Sequence, residues 1–209
     1  AAVAGIAKAY GFEVSGCDLN PDSPYTKNLK VKIAKGHSPS HLLKTDLLVI
    51  SPAVEKLDSE NPELQEAKVR KIPIITWQEF QGKYLQKNKF VISVAGAYGK
   101  STTTAMIARI MEDQNLDPTC EIGAILIEWG KNYRFGKSKY FICEADEYYD
   151  NFLNYSCDVA VVLNIAYDHP DYFKNIKDLY SSYLNFINNI KSGGILITTA
   201  EVLNHFKNK

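Results

Sequence analysis

Nine consecutive residues, G-A-Y-G-K-S-T-T-T at Gly96–Thr104, have the composition of a phosphate-binding loop. Glycines let backbone N–H groups turn toward one point, and the positive end of a following helix adds to the attraction for an anion. Lys100 supplies a mobile cation for the outer phosphates, and the Ser101 hydroxyl is the type of ligand that Mg²⁺ takes in such loops. The candidate nucleotide-binding set is therefore Gly96, Ala97, Tyr98, Gly99, Lys100, Ser101 and Thr102. The spacing is a shortened variant, because Val94 stands where the common pattern has its first glycine. Two further clusters carry acid and imidazole: I-C-E-A-D-E-Y-Y-D at Ile142–Asp150, and V-A-V-V-L-N-I-A-Y-D-H-P-D at Val159–Asp171. In isolation Glu144–Glu147 reads as a solvated acidic loop, and His169 as a loop histidine bonded to its neighbour.

These groups converge only if the right elements carry them. V-I-S-V-A (Val91–Ala95) reads as a buried strand leading into the loop, and T-T-A-M-I-A-R-I-M-E as a helix leaving it. Both downstream clusters follow apolar runs, so each puts its functional groups at the C-terminal end of a parallel strand, where open α/β sheets bind ligands. Lys100, Ser101, Glu144 and His169 are then expected around one crevice. Upstream, strands are expected at Phe12–Cys17, near Val31–Ala34, at Asp46–Ser51 and at Ile72–Thr76. Helices are expected over Asn61–Val69, capped by Ser59 or Asn61, and over Trp77–Leu85. This alternation predicts an open parallel α/β sheet before residue 86 and a second α/β unit from residue 89 to 209, with the polar Gln86–Lys89 as connector. Asp18 at a strand end suits either a nucleotide contact or an ordinary loop cap. Leu179, Tyr183, Phe186 and Ile190 form one apolar helical stripe and read as core.

Composition bounds the partners. The 209 residues hold 24 basic and 24 acidic side chains, so no general nucleic-acid or membrane surface is indicated. No apolar run approaches the ~18 residues of a membrane span, and Ala1–Tyr10 lacks the basic flank of a secretion signal. Cys17, Cys120, Cys143 and Cys157 are scattered without metal-ligand spacing and read as buried reduced thiols, which suits a cytoplasmic protein.

In combination, G-A-Y-G-K-S-T-T-T, E-A-D-E and N-I-x-x-D-H resemble the Mur ligases, ATP-dependent amide-forming enzymes of peptidoglycan precursor synthesis. The likeness is strongest to the subfamily that joins L-alanine to UDP-N-acetylmuramate. F-E-V-S-G-C-D, S-P-A-V, N-P-E-L-Q-E-A and I-P-I-I-T-W-Q-E-F extend it over nearly all of the chain. The resemblance implies a Rossmann-like UDP-sugar-binding unit over residues 1–86, followed by an ATP-binding central unit over 89–209. It also implies ATP and Mg²⁺ as cofactors and an acyl-phosphate route. Lys100, Glu144 and His169 take catalytic roles, Ser101, Glu144 and His169 metal-binding ones, with Asn164 and Asp168 behind them. Against the family pattern, Ala97-Tyr98 replaces Thr-His or Thr-Asn, and Tyr148-Tyr149 replaces Ser-Asp after E-A-D-E. Tyr148 is shared with the related ligase that recycles the muropeptide tripeptide, which stays open as an alternative. A nucleotide-binding module without turnover stays open too. Folate polyglutamate synthases fit less well, since they begin near their phosphate loop. Both termini read as cut, so the resemblance implies a fragment that lacks the opening glycine turn and the amino-acid-binding domain and does not turn over alone.

Overall fold

The computed structural model describes residues 1–206, and the expected end of the second unit at Asn208-Lys209 lies outside them. The chain divides into two compact units, Ala1–Leu85 and Gln86 onward.

The first unit opens with helix α1 (Ala2–Ala9), whose Ala2, Val3, Ile6 and Ala7 are buried, and whose Lys8 lies in the last turn against the negative helix end. Strands β1 (Ser15–Asp18) and β2 (Lys32–Lys35) pair in parallel, with Cys17 opposite Ala34. A single 3-10 turn, Pro39–Leu42, is capped by the Ser38 hydroxyl. Strand β3 (Leu48–Ile50) then pairs in parallel with β4 (Ile74–Thr76). Between them lie α2 (Pro52–Leu57) and α3 (Pro62–Arg70). Proline at the first helical position costs α3 nothing, because that N–H has no intrahelical partner. Asn61 is the cap, its Oδ1 accepting from Glu63 N at 3.0 Å. A reciprocal capping box between Thr76 and Glu79 starts α4 (Trp77–Phe80), which continues as one π-helical turn at Gln81–Leu85. The strands of this unit form two separate parallel pairs. The sequence predicts one sheet there, because alternating apolar runs specify strands but not which strands share a ladder.

The second unit is built on a six-stranded sheet in the order β10-β9-β5-β8-β6-β7. Its members are β5 (Phe90–Ala95), β6 (Thr119–Leu126), β7 (Lys131–Arg134), β8 (Tyr140–Ala145), β9 (Val159–Val162) and β10 (Ile195–Thr198). Every pairing is parallel except β6 with β7, an antiparallel hairpin that the sequence reading misses. Central β5, flanked by β8 and β9, has Val91, Val94 and Ala95 fully buried. Such near-continuous apolar sequence is what a doubly covered parallel strand needs. Helix α5 (Lys100–Asp113) packs Ala108 and Met111 against Cys120, Ile122 and Ile142. Helix α6 (Ile176–Asn188) buries Leu179, Tyr183 and Phe186, while Ile190 lies beyond its end and is only half-buried. The described chain ends in α7 (Ala200–Phe206). Among the described residues no helix is long and apolar enough to cross a membrane.

Candidate active site

The loop leaves β5 at Ala95 and enters α5 at Lys100. Gly96 has φ +144°, and a Cβ there would meet Leu163 Cβ at 3.1 Å and the backbone of Asn164 at 3.3 Å. Gly99 caps the helix at φ +85°. Both positions need glycine, one for close approach and one for left-handed backbone. Asn164, just beyond β9, clamps the loop: its Oδ1 accepts from Tyr98 N at 3.0 Å and its Nδ2 donates to Tyr98 O at 2.9 Å. Only backbone atoms of position 98 are used, so the Tyr98 side chain is free to be exposed. Ala97 and Ser101 are half-buried, and Thr102 is exposed on the first turn of α5.

Lys100 Nζ donates to Gly96 O at 2.8 Å and sits 3.3 Å from Glu147 Oε2. Glu147 is only 1% exposed. A carboxylate this deep is costly without a cation, and Lys100 provides it. Ligand atoms of Asp146, Glu147 and His169 lie within 4.8 Å of one another. The loop lysine pairs with, and the imidazole lies near, a carboxylate that sequence reasoning grouped with the acidic run but assigned no role. Glu144 lies outside that group. As the penultimate residue of β8, it accepts from Gly123 N at 2.5 Å through Oε1. A Cβ on Gly123 would sit 3.1 Å from its other oxygen, so Gly123 makes room for this carboxylate.

One aromatic ring lies over the histidine. Tyr148 stacks on His169 with centroids 4.1 Å apart, and lies tilted by 32° against Tyr149 at 4.0 Å. The Tyr148 hydroxyl donates to Asp171, and this bond, followed by one with Tyr149, raises its pKa. Tyr149, Asp150 and His169 all have left-handed φ of 55–58°. Non-glycine residues pay roughly 1–3 kcal/mol each for such backbone and keep it only where surroundings impose it. Asp150 supplies part of that constraint, accepting from Tyr172 Oη at 2.5 Å and from the Ser182 hydroxyl. Burial, then the Asp150 bond, pushes the Tyr172 phenol up to about 12. Asp168 accepts from His169 N at 2.8 Å. In the first unit, Asp18 accepts from Asn20 N at 2.7 Å, which is the geometry of a loop cap.

A glycine loop closing a parallel strand onto a helix, with carboxylates and an imidazole after neighbouring strands, defines an α/β protein of the phosphate-loop class. Comparison with known proteins narrows it. The Mur ligase middle domain matches residues 94–209, and the Mur ligase family catalytic domain matches residues 1–89. The chain belongs to the Mur ligase family. It is 41% identical over 193 residues to the UDP-N-acetylmuramate–L-alanine ligase of Acetivibrio thermocellus, covering 91% of this chain and 40% of that protein. The enzyme of the same name from Clostridium acetobutylicum is 38% identical over 194 residues, covering 91% and 42%. The chain thus spans about two fifths of the length of these relatives. Among solved structures, UDP-N-acetylmuramate-alanine ligase from Thermotoga maritima aligns with TM-score 0.84 at 26% identity, covering 98% of this chain and 47% of that one. The UDP-N-acetylmuramate:L-alanyl-gamma-D-glutamyl-meso-diaminopimelate ligase from Neisseria meningitides aligns with TM-score 0.83 at 27% identity, covering 99% and 70%.

Proposed function

We propose that this chain carries the UDP-sugar-binding and ATP-binding portions of a UDP-N-acetylmuramate–L-alanine ligase, the first over residues 1–86 and the second over 89–209. The observation that carries this reading is the pairing of Lys100, in a glycine loop, with buried Glu147, beside His169. In the reaction the substrate carboxylate attacks the γ-phosphate of ATP, and the alanine amine displaces phosphate from the resulting acyl phosphate. Phosphoryl transfer of this kind needs mainly alignment and charge neutralisation. Backbone N–H groups of Gly96–Lys100 wrap the phosphates. Lys100, released from Gly96 O and Glu147, moves onto the outer oxygens.

The donor set fits Mg²⁺, because the Ser101 hydroxyl and the Glu144 carboxylate are the hard oxygen ligands that ion prefers. When bound, the ion neutralises charge building on the phosphates and the attacking carboxylate. Ser101, Glu144 and His169 are the residues assigned to it by family likeness, and His169 is the least usual, being a nitrogen donor. Asp168 fixes the His169 backbone, and Tyr148 holds the ring by stacking. Four free cysteines support a reducing, cytoplasmic setting.

The tripeptide-recycling ligase is the second reading, favoured by the near-equal fold match to the Neisseria protein. The names of the more similar curated relatives favour alanine. Isothermal titration of ATP with and without Mg²⁺, into the chain and into Lys100→Ala, tests the nucleotide site. Equal affinity of both proteins would remove the basis of the proposal.

A further inference from the structure

The first unit brings together four residues that the ligase reading leaves without a task. Cys17 comes from β1, His37 from two residues past β2, His41 from the 3-10 turn, and Glu63 from the first turn of α3. Cys17 Sγ lies 3.2 Å from His37 Nδ1 and 2.9 Å from Glu63 Oε2, and His37 Nδ1 lies 3.4 Å from that same oxygen. A tetrahedral zinc ion, with about 2.3 Å to sulfur and about 2.0–2.2 Å to nitrogen and oxygen, spaces its donors about 3.4–3.6 Å apart. Two edges of the observed triangle meet that within about 0.4 Å. The thiol–carboxylate edge is shorter, because the S–H hydrogen bond spans it.

We propose that Cys17, His37 and Glu63 bind a divalent cation of the zinc class, with His41 orienting the carboxylate. The second oxygen of Glu63 is already committed, 2.7 Å from His41 Nδ1 and 3.4 Å from Ser38 N, so Oε2 alone faces the triangle. A partner fixing the outer oxygen of a ligating carboxylate is a regular feature of zinc sites. Thiolate and carboxylate together cancel the charge of a divalent ion, which matters beside Glu63, only 6% exposed. Soft sulfur and imidazole select zinc over Mg²⁺. Three protein ligands leave the fourth position to water or a substrate oxygen, and His37 keeps 23% of its side-chain surface open on the way. When an ion binds, the sulfur–metal bond forms, the S–H bond breaks, and the proton leaves to solvent. No local spacing pattern betrays such a site, because its ligands are 20 and 26 positions apart and meet only through the parallel pairing of β1 with β2 and the start of α3.

The test is titration of the chain with Co²⁺ alone, followed by absorption. A one-to-one complex is expected, with a sulfur-to-cobalt charge-transfer band and intense tetrahedral d–d bands, displaced by Zn²⁺. Cys17→Ser should abolish the charge-transfer band and His37→Gln should weaken binding, while His41→Ala should keep the band and lower affinity about 10–100-fold. Absence of the band in the unsubstituted chain, or its survival in Cys17→Ser, overturns the site; unchanged affinity in His41→Ala overturns the orienting role. Should the variants fail to fold, X-ray absorption of the zinc-loaded unsubstituted chain decides. One sulfur neighbour at about 2.3 Å supports the proposal, and a shell of nitrogen and oxygen alone defeats it.

Discussion

Lys100 is held between a carbonyl and a buried carboxylate, so removing it has two separable effects. Lys100→Ala leaves Glu147 without its cation, and charged hydrogen bonds are worth about 1.5–3 kcal/mol. Nucleotide affinity should fall by about 10–100-fold, read by calorimetry. Glu147→Gln should lose the ion pair and still retain most nucleotide affinity, since the loop and Lys100 remain. If Glu147→Gln lowers affinity as far as Lys100→Ala, Glu147 has a direct ligand role. Gly96→Ala tests the loop backbone itself. Its Cβ meets Leu163 Cβ at 3.1 Å and Asn164 backbone at 3.3 Å, on a φ that other residues rarely adopt. A loss of about 1–3 kcal/mol in denaturant unfolding, together with weakened ATP binding, is the expected outcome.

At the scale of elements, Arg134 on β7 pairs with α5 and with the turn after it. Arg134 Nε is 2.8 Å from Glu112 Oε1, and its Nη2 is 2.7 Å from Asp117 Oδ1. The Lys137 N–H first, then Arg134, holds the Asp117 carboxyl below the usual carboxylate range. A lowered folded pKa gives stability that is present above the unfolded pKa of about 3.9 and is lost as pH falls through the folded value. Solvent screening keeps this share under about 1 kcal/mol. Arg134→Met should therefore lower stability at pH 7 and flatten its decline below pH 4, measured by urea unfolding across that range. The 3-10 segment Tyr148–Asn154, which carries the strained tyrosine and aspartate, rests on Phe152. That ring is fully buried and stacked on Phe186 at 4.7 Å. Phe152→Ala should cost about 3–5 kcal/mol, which a thermal melt would register as a fall of many degrees.

For the whole molecule, the two units should respond differently to ATP. A ligand bound at 100 times its dissociation constant stabilises its host by about 2.7 kcal/mol. Hydrogen exchange with Mg-ATP should show protection at Gly96–Lys100 and around Glu144–Tyr148, and little change before Leu85. Protection spread equally over both units would contradict the assignment of the nucleotide to the second.

Sequence alone determined the loop, its flanking strand and helix and the family, and narrowed the α3 cap to Ser59 or Asn61, because glycine punctuation, apolar periodicity and capping chemistry act over a few neighbouring residues. It named Lys100 and His169 as candidates and passed over Glu147, since the carboxylates of one acidic run look alike until a strand end turns Glu144 toward Gly123 and Glu147 toward Lys100. Tyr148 was visible as a departure from the family pattern, yet its stacking on His169 depends on left-handed backbone at Tyr149 and His169 that no propensity predicts. The same limit hid the antiparallel β7, the split of the first unit into two strand pairs, and the meeting of Cys17 with His37 and Glu63. Each is a pairing between distant segments, decided by which ladders and buried contacts form together in the folded chain.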